Sequence, residues 1–317
     1  MSLPITRLRF IGCLILFCLG MGVSPGQSYP QDYFIYPLDL KPSISGTFAE
    51  VRSNHFHSGI DLRTQGKVNH SVKAAGPGFV SRIKVSPYGF GRALYLRHPN
   101  GYTTVYAHLR RFSDTLEDFL KQRQKALQVN EIDINLPPEK FNFDRGDLIA
   151  RSGNSGGSGG PHVHFEIRET ASQAILNPLL FGLPVEDSRP PRMKNLNLYQ
   201  YSGNELVSLQ NYRLVESQRG SYQLTGKGRL EVQYAPAFGL EVFDRLDHSW
   251  NSNGPYRLQL YVGEELCYQF EAKRFRFAET RYANAHIDFS QKKCCDQSIQ
   301  RLYRLPLNKF SAYQHTP

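Results

Sequence analysis

The stretch "GPHVHFEIR", residues 160–168, places two histidines and a glutamate at alternate positions of one short segment. Side chains two residues apart in a β-strand point to the same face of the sheet, so His162, His164 and Glu166 would share a face. The apolar residues between them would pack on the opposite face. This alternation predicts a half-buried strand whose polar face presents a His-x-His pair, an arrangement suited to binding a metal ion.

A second cluster, "HFHSGIDL" at 55–62, contains two histidines and an aspartate. Gly59 and the lack of a helical repeat favour an extended or turning backbone, in which positions 57, 59 and 61 point the same way. His57 and Asp61 can therefore converge on one point.

Ligands from the two clusters together would complete a metal site. Three protein ligands of mixed imidazole and carboxylate type, with a fourth position left to water, describe a catalytic rather than a structural zinc site. We predict His57, Asp61 and His164 as these ligands. His108, in "VYAHL", could approach the metal without binding it. Any one of these histidines alone is as well explained by a surface or core position, and only the combination favours a metal.

The glycine-rich segment "GNSGGSGG", 153–160, has a rival interpretation as a phosphate-binding loop. It lacks the Gly-Lys-Ser/Thr ending of a P-loop and leads into a predicted strand instead of a helix, so we reject that function. We expect its glycines to let the backbone pass close to a bound chain just before His162.

Between Phe79 and Arg168 the sequence predicts an antiparallel sheet. Five segments alternate in the manner of half-buried strands, and turn signals such as "HPNG" at 98–101 separate them. The segments are "FVSRIKV", "RALYLRH", "YTTVYAH", "LIARS" and "HVHFEIR".

One helix is predicted to interrupt this sheet, at 113–127. Asp114 and Glu117 form a plausible capping pair, and apolar residues follow at helical spacing. The apolar positions are Leu116, Phe119, Leu120 and Leu127.

A proline-rich and charged segment, 184–195, predicts a linker after the last strand of this domain. We therefore expect a first domain at 28–183 and a second at 196–317. The second domain again alternates and has no convincing long helix, which predicts an immunoglobulin-like β-sandwich. The chain stops without a capping strand, which leaves open whether this sandwich is complete.

Residues 1–27 have the features of an export signal: Arg7 and Arg9 precede an apolar run from Phe10 to Val23, and small and turn-forming residues follow. The run is too short to cross a bilayer comfortably, and no later stretch has the roughly 20 apolar residues that a spanning helix needs. We expect an exported protein that is not integral to the membrane after cleavage, in the periplasm or cell envelope first and outside the cell second. An uncleaved anchor is the alternative.

Cleavage of this signal would leave three of the five cysteines, namely Cys267, Cys294 and Cys295. An odd number in an oxidising compartment permits one disulfide, which we expect from Cys267 to one of the adjacent pair. The spacing does not fit a four-cysteine zinc site.

The formal charge is +10, and removing the signal with its two arginines would leave about +8. A basic exported protein is attracted to anionic polymers such as cell-wall material. The sequence has no dense block of lysine and arginine with interleaved aromatic residues, so we predict no nucleic-acid partner.

Four motifs in register, "HSGID", "YAHL", "GDLIARSGNSG" and "GPHVHFE", resemble those of the lysostaphin-type, or LytM-like, zinc endopeptidases that cut peptidoglycan peptides. The resemblance covers roughly residues 43–182. It implies a small antiparallel β domain with a groove across its sheet, in which the insertion at 112–143 would border the groove and affect substrate access.

The resemblance also implies roles for five residues. His57, Asp61 and His164 would bind one Zn²⁺, and His108 and His162 would be the catalytic pair. Zinc would polarise the scissile carbonyl and activate water, while the division of labour within the pair stays open. Because ligation needs deprotonated imidazoles, we expect activity to be lost on acidification and with chelators.

Two other classes of function compete with an enzyme. Some LytM-like proteins have lost their metal ligands and act as non-enzymatic regulators of other wall hydrolases, whereas all five positions are intact here. A wall-binding module is the third hypothesis, supported by the charge and the predicted sandwich. For an enzyme, a stem peptide or a direct cross-link is a better candidate substrate than a glycine bridge.

Overall fold

The computed structural model describes residues 16–17, 29–226, 230–247 and 249–316. The described chain is mainly β, and all its paired strands that frame the site are antiparallel, which confirms the predicted fold class. Apart from Leu16–Phe17, the predicted signal at 1–27 lies outside the described residues and stays a prediction.

The strands are labelled β1 to β24 in chain order. They are Leu16–Phe17, Ile44–Gly46, Val51–Arg52, His55–Phe56, Ile60–Arg63, Ser71–Lys73, Gly78–Val85, Arg92–Arg97, Tyr102–Ala107, Arg111–Phe112, Ile132–Asn135, Asn142–Phe143, Leu148–Arg151, His162–Glu169, Ile175–Leu176, Arg192–Ser202, Glu205–Gln218, Ser221–Leu224, Ala235–Phe243, Arg257–Val262, Glu265–Glu271, Arg274–Phe275, Ile299–Arg301 and Tyr313–His315. The α-helices are α1 (Asp114–Leu127), α2 (Ala283–His286) and α3 (Phe289–Cys295), and 3-10 helices span Pro178–Phe181 and Phe277–Tyr282.

A ten-stranded sheet forms the centre of the molecule. Its main path runs β11-β7-β8-β9-β14-β15-β22. The remaining three strands pair beside this path: β5 on the edge of β14 opposite β9, β2 on β5, and β12 on β7. The predicted strands within 79–168 are all present, but only four of them belong to this sheet, because "LIARS" forms β13 of a separate three-stranded sheet of order β10-β13-β6. Gly101 ends the predicted hairpin turn with a positive φ of 86°. The strand β14 therefore lies between β5 and β9.

The alternation separates the two faces of β14 by polarity, but the strand is not half-buried as predicted, because His164, Glu166 and Arg168 on the polar face are buried as well. Val163, Phe165 and Ile167 are fully buried in the hydrophobic core, and the polar residues between them occupy the other face. Burying a side chain of this size contributes about 1.5–3 kcal/mol, so the apolar face fixes which way the histidines point.

The predicted helix is present as α1, with two corrections in detail. Ser113, not Asp114, is the N-cap, and its side chain makes no capping hydrogen bond. Glu117 instead accepts the backbone N–H of Phe112 at 2.9 Å, outside the helix. Leu127, although at helical spacing from the buried Leu116 and Leu120, is 56% exposed.

The region after residue 184 forms two further sheets, one of order β18-β17-β16-β19-β23 and one of order β1-β20-β21-β24. The strand β16 begins at Arg192, inside the segment predicted as a linker. The strand β22 pairs with β15 and so joins this region to the central sheet, and one hydrophobic cluster runs through both parts. The domain bounds and the immunoglobulin-like topology stay predictions.

Aromatic stacking fastens the C-terminal region to the hairpin β3–β4, which precedes His57. The ring of Phe56 lies 4.0 Å from that of Phe310, and the ring of Phe48 lies 4.8 Å from that of Phe275. Phe56 and Phe310 are 0% and 2% exposed. The segment that precedes and positions His57 is thus packed between the central sheet and C-terminal residues.

The cysteines correct the predicted pairing. Cys294 is bonded to its neighbour Cys295 at the end of α3, and Cys267 is a free thiol on β21. Because the adjacent pair is closed on itself, neither of its members is left to bond Cys267.

Across the described residues, no helix is both long enough and apolar enough to cross a membrane.

Truncating Phe310 should destabilise the fold. The substitution Phe310→Ala leaves a cavity against Phe56, and a loss of about 3–5 kcal/mol of unfolding free energy is expected, measured by urea denaturation. Phe289→Ala is the matched control, because Phe289 is 42% exposed and should cost little. Equal losses in the two variants would contradict the packing role.

Acid should destabilise the fold through His98, which is buried between the carbonyl oxygen of Pro77 and the hydroxyl of Thr104, each at 2.8 Å. Burial lowers the pKa of His98 from 6.5 to about 4. The unfolded chain therefore takes up a proton first, so this contribution is complete above pH 6.5 and declines as the pH falls toward 4, by roughly 1.4 kcal/mol per pH unit.

Urea unfolding at pH 7 and pH 5 checks this expectation. The variant His98→Gln should lose less stability between the two pH values than wild type, while the exposed control His55→Gln should behave like wild type. A slope unchanged by His98→Gln would count against the assignment.

Candidate metal centre

Sheet register brings the two sequence clusters together. In the ladder between β14 and β5, His164 lies directly opposite Asp61, and His162 lies opposite Arg63. On its other edge His164 pairs with Ala107, the residue before His108. Side chains of opposed residues share a face at about 5 Å, so this register sets imidazole beside carboxylate.

The three predicted metal ligands form one compact, buried cluster. His57 Nε2 lies 3.0 Å from Asp61 Oδ1 and 3.0 Å from His164 Nδ1, and His164 Nδ1 lies 3.1 Å from Asp61 Oδ1. The ligand atoms all fall within 4.8 Å of one another. Two nitrogens and one oxygen at this spacing can coordinate a single ion.

A glycine permits this convergence. A Cβ built on Gly59 would lie 2.3 Å from the backbone oxygen of Phe165, and the two strands would have to separate to admit it. Glycine is needed here because the two backbones approach closely, and not for an unusual backbone conformation, since the φ of Gly59 is not positive. Gly59 therefore lets the chain carrying His57 and Asp61 lie against β14.

Hydrogen bonds fix which nitrogen of each ligand histidine faces the cluster. His57 Nδ1 lies 2.8 Å from the carbonyl oxygen of Thr47, so it must donate there and leave the lone pair of Nε2 facing the centre. His164 Nε2 donates to Glu166 Oε1 at 3.0 Å and leaves Nδ1 facing the centre. Such partners for the second ring nitrogen are typical of metal-binding histidines.

The carboxylate behind His164 is itself held ionised. Arg168 Nε donates to Glu166 Oε2 at 2.7 Å, and both side chains are buried. Burial raises the pKa of Glu166, but the charges of Arg168 and His164 outweigh it and lower the pKa to about 2. Glu166 is therefore an acceptor for His164.

The electrostatics of the cluster favour a cation. Burial would lower the pKa of His164, yet hydrogen bonds to Asp61 and Glu166 raise it to about 9. Burial likewise disfavours ionised Asp61, but the charge of His57 and the histidine hydrogen bonds hold the pKa of its carboxyl well below the usual range. The same negative charge that stabilises a proton here would attract a divalent ion, which must displace that proton in order to bind. The residues present thus fit a metal ion.

His108 and His162 lie beside this cluster, with ring centroids 4.7 Å apart. His108 Nδ1 donates to the carbonyl oxygen of Ser155, and His162 Nδ1 donates to that of Gly160, both at 2.8 Å. Their Nε2 atoms are left as acceptors, and that of His162 lies 3.4 Å from Asp61 Oδ1.

The glycine-rich segment therefore orients both histidines through backbone carbonyls, a role that its composition did not reveal. A Cβ on Gly156 would lie 2.4 Å from the backbone nitrogen of Gly91, and Gly157 donates to the carbonyl oxygen of Gly89 at 2.8 Å. These glycines bring two loops into contact, and whether the segment also approaches a bound chain stays a prediction.

His108 is neutral at physiological pH. Burial, and then the positive charges of His164 and His162, lower the pKa of His108 to about 4. Its backbone has a positive φ of 57°, which turns the chain out of β9 and aims the ring at the cluster. A neutral imidazole with a free Nε2 can accept a proton.

Sequence reasoning missed Arg52, whose Nη2 donates to Asp61 Oδ2 at 2.9 Å. A Cβ on Gly46 would lie 2.2 Å from this Nη2 atom, so glycine makes room for the ion pair. The pair leaves Oδ1 as the oxygen that faces the two histidines. A lone arginine in a hairpin carries no periodic signal, whereas Arg168 could have been found by extending the polar face of β14 by two residues.

Comparisons with known proteins agree with this geometry. The sequence profile of Peptidase family M23 matches residues 55–132, which include His57, Asp61 and His108. An uncharacterized metalloprotease of Haemophilus influenzae is 30% identical over 166 residues, which are 50% of this chain and 29% of that protein. The peptidoglycan DD-endopeptidase ShyA of Vibrio cholerae is 27% identical over 173 residues, which are 53% of this chain and 34% of that protein.

Among solved structures, the catalytic domain of lysostaphin from Staphylococcus simulans aligns with a TM-score of 0.33 and 20% identity, over 44% of this chain and 91% of that one. This chain matches about a third or less of the length of the two curated relatives. The family profile covers two of the four motifs, "HSGID" and "YAHL". This chain therefore contains a domain of peptidase family M23, the lysostaphin-type family that its motifs indicated.

Proposed function

We propose that this protein is an exported zinc endopeptidase that hydrolyses peptide cross-links or stem peptides of peptidoglycan. The observation that carries the proposal is the convergence of His57 Nε2, Asp61 Oδ1 and His164 Nδ1, with the acceptor nitrogens of two further histidines beside them. Family membership supports peptidase chemistry independently.

Zinc suits this set of ligands. Two imidazoles and one carboxylate are a common catalytic combination for Zn²⁺, which retains a fourth position for water or substrate. When bound, the ion supplies a Lewis acid that polarises a carbonyl and activates water at neutral pH. One ion per chain is expected, held by His57, Asp61 and His164.

His108 and His162 would act as general base and general acid. Each is fixed with Nδ1 donating to a backbone carbonyl, so each offers Nε2 to an attacking water or, once protonated, to the developing oxyanion. The proton taken from water is then available to the leaving amine. Because the two rings are adjacent, we treat them as one acid–base pair.

Peptidoglycan as the substrate is supported by the relatives and by charge. ShyA is named as a peptidoglycan DD-endopeptidase, and the formal charge of +10 for the whole chain attracts it to anionic wall polymers. The predicted signal at 1–27 supports the periplasm or cell envelope as the compartment, with the outside of the cell second. A direct cross-link or stem peptide is the proposed bond.

A non-enzymatic regulator of other wall hydrolases is the alternative function. The complete set of five residues, each oriented by a hydrogen bond, favours the enzyme. The two classes differ in what they require of the site, since a regulator that only binds wall material needs no acid–base pair.

Removing the metal should abolish activity and not folding. Exhaustive dialysis against a chelator should stop the release of fragments from purified sacculi, and stoichiometric Zn²⁺ should restore it. Metal content by mass spectrometry should be close to one zinc per chain before dialysis. Circular dichroism controls for folding, and undiminished cleavage by the folded, metal-free protein would refute zinc catalysis.

The variants His162→Ala and Asp61→Ala should each lose activity in a zymogram containing peptidoglycan. His162→Ala removes half of the acid–base pair and should lower kcat at least 100-fold with zinc still bound, whereas Asp61→Ala removes a ligand and should also lower zinc content.

His55→Ala is the matched control, because His55 is an exposed histidine on β4, two residues before His57, and the variant should retain full activity. Retention of wild-type function in both His162→Ala and Asp61→Ala would instead identify a wall-binding regulator.

A further inference from the structure

Two aromatic rings border the metal centre on one side. Phe90, from the loop between β7 and β8, stacks on the His164 ring at 5.1 Å with an interplanar angle of 29°. Phe277 meets Phe90 edge-on at 6.2 Å. The two rings, which we call the aromatic wall, therefore form a row of contacts that starts at His164, a proposed metal ligand.

Phe277 comes from the C-terminal region and is held firmly in place. It begins the 3-10 helix that follows β22, and β22 is hydrogen-bonded to β15 as part of the central sheet. The guanidinium of Arg168 lies 5.2 Å from its ring centroid. This cation–π contact ties Phe277 to the strand that carries His162 and His164.

The aromatic wall is only partly buried, although it stands on an apolar base. Phe277 is 48% exposed, and Phe90 is half-buried where it packs on the buried side chains of Ala93, Tyr95 and Val105. An exposed Phe face gains about 25 cal/mol per Å² when a ligand covers it. A bound peptide at the metal could cover this face.

The chemistry of the aromatic wall selects an apolar ligand. The Arg168 guanidinium, which faces the Phe277 ring, is already bound through Nε and Nη2 to Glu166 Oε2. No hydrogen-bonding partner for a polar side chain is offered by either ring. A methyl or larger alkyl group would therefore be favoured there.

We propose that Phe90 and Phe277 form a substrate subsite that accepts an apolar side chain, such as an alanine methyl, from the residue flanking the scissile bond. The inference rests on the proposed peptidase function. It assigns the C-terminal region a direct part in substrate selection, since Phe277 lies outside the segment that matches the family.

Binding can be separated from catalysis in a His162→Ala background, with the full-length protein loaded with zinc. The probes are two synthetic peptides that mimic a cross-link and differ only in having alanine or glycine next to the scissile bond. Isothermal titration should show the alanine peptide binding about fourfold more tightly, the value of one buried methyl group.

Adding Phe277→Ala should reduce this preference to less than twofold, with unchanged zinc content and thermal stability. Phe277→Leu, which keeps an apolar surface, should retain most of the preference. Phe289→Ala is the control, since Phe289 is a similarly exposed phenylalanine, 42%, of the same region.

A fourfold preference that survives Phe277→Ala would overturn the subsite, as would an equal loss of affinity for both peptides or no binding of either peptide by the parent. Cleavage of sacculi by the wild-type protein tests the proposed function separately. An inactive wild type that still shows the Phe277-dependent preference would refute hydrolysis and leave the subsite standing.

Discussion

The pairing of His164 with Asp61 across neighbouring strands is the constraint on which the site depends. A shift of one residue in this register would turn the histidines of β14 toward the core and its apolar residues toward the metal. The buried face of Val163, Phe165 and Ile167 prevents that shift. Burial of these apolar residues therefore helps to hold the proposed metal ligands together, although none of the three is itself a proposed ligand.

Much of the site could be predicted because its signals are local and periodic. The alternation in "HVHFEIR" gave the strand and its polar face, and the spacing of His57 and Asp61 gave their convergence, which the 3.0 Å contact confirms. The partners of these residues were not predictable, because Thr47, Arg52 and Ser155 act from separate segments through contacts that no repeat marks. The predicted cap of α1 and the predicted disulfide of Cys294 were wrong for another reason, since in both cases an immediate neighbour in the sequence takes the role: Ser113 is the N-cap, and Cys295 bonds Cys294.

The C-terminal region packs against the part of the molecule that carries the candidate metal centre. Phe310 covers Phe56 next to His57, and Phe277 reaches Phe90 beside His164, so C-terminal residues pack near two of the three proposed ligands. Thr47, whose carbonyl accepts from His57, also contacts Gly254 through its hydroxyl at 3.5 Å. Sequence alternation placed a β-rich region here, but it contained no sign of these contacts, which arise only when the two parts pack together.

The loop at 153–160 anchors His108 by the main-chain oxygen of Ser155 and His162 by that of Gly160, with Ser158 Oγ also 3.2 Å from His162 Nδ1. Every amino acid has the same carbonyl group, so no single side-chain replacement in that loop can delete either anchor, although a bulky one at Gly156 would displace the loop itself. Most point mutations in the loop would thus leave the tautomers of His108 and His162 unchanged, whereas an insertion or deletion would move the carbonyl groups that fix them. Divergence in this protein family would then be expected to alter the spacing of the loop more rarely than its composition.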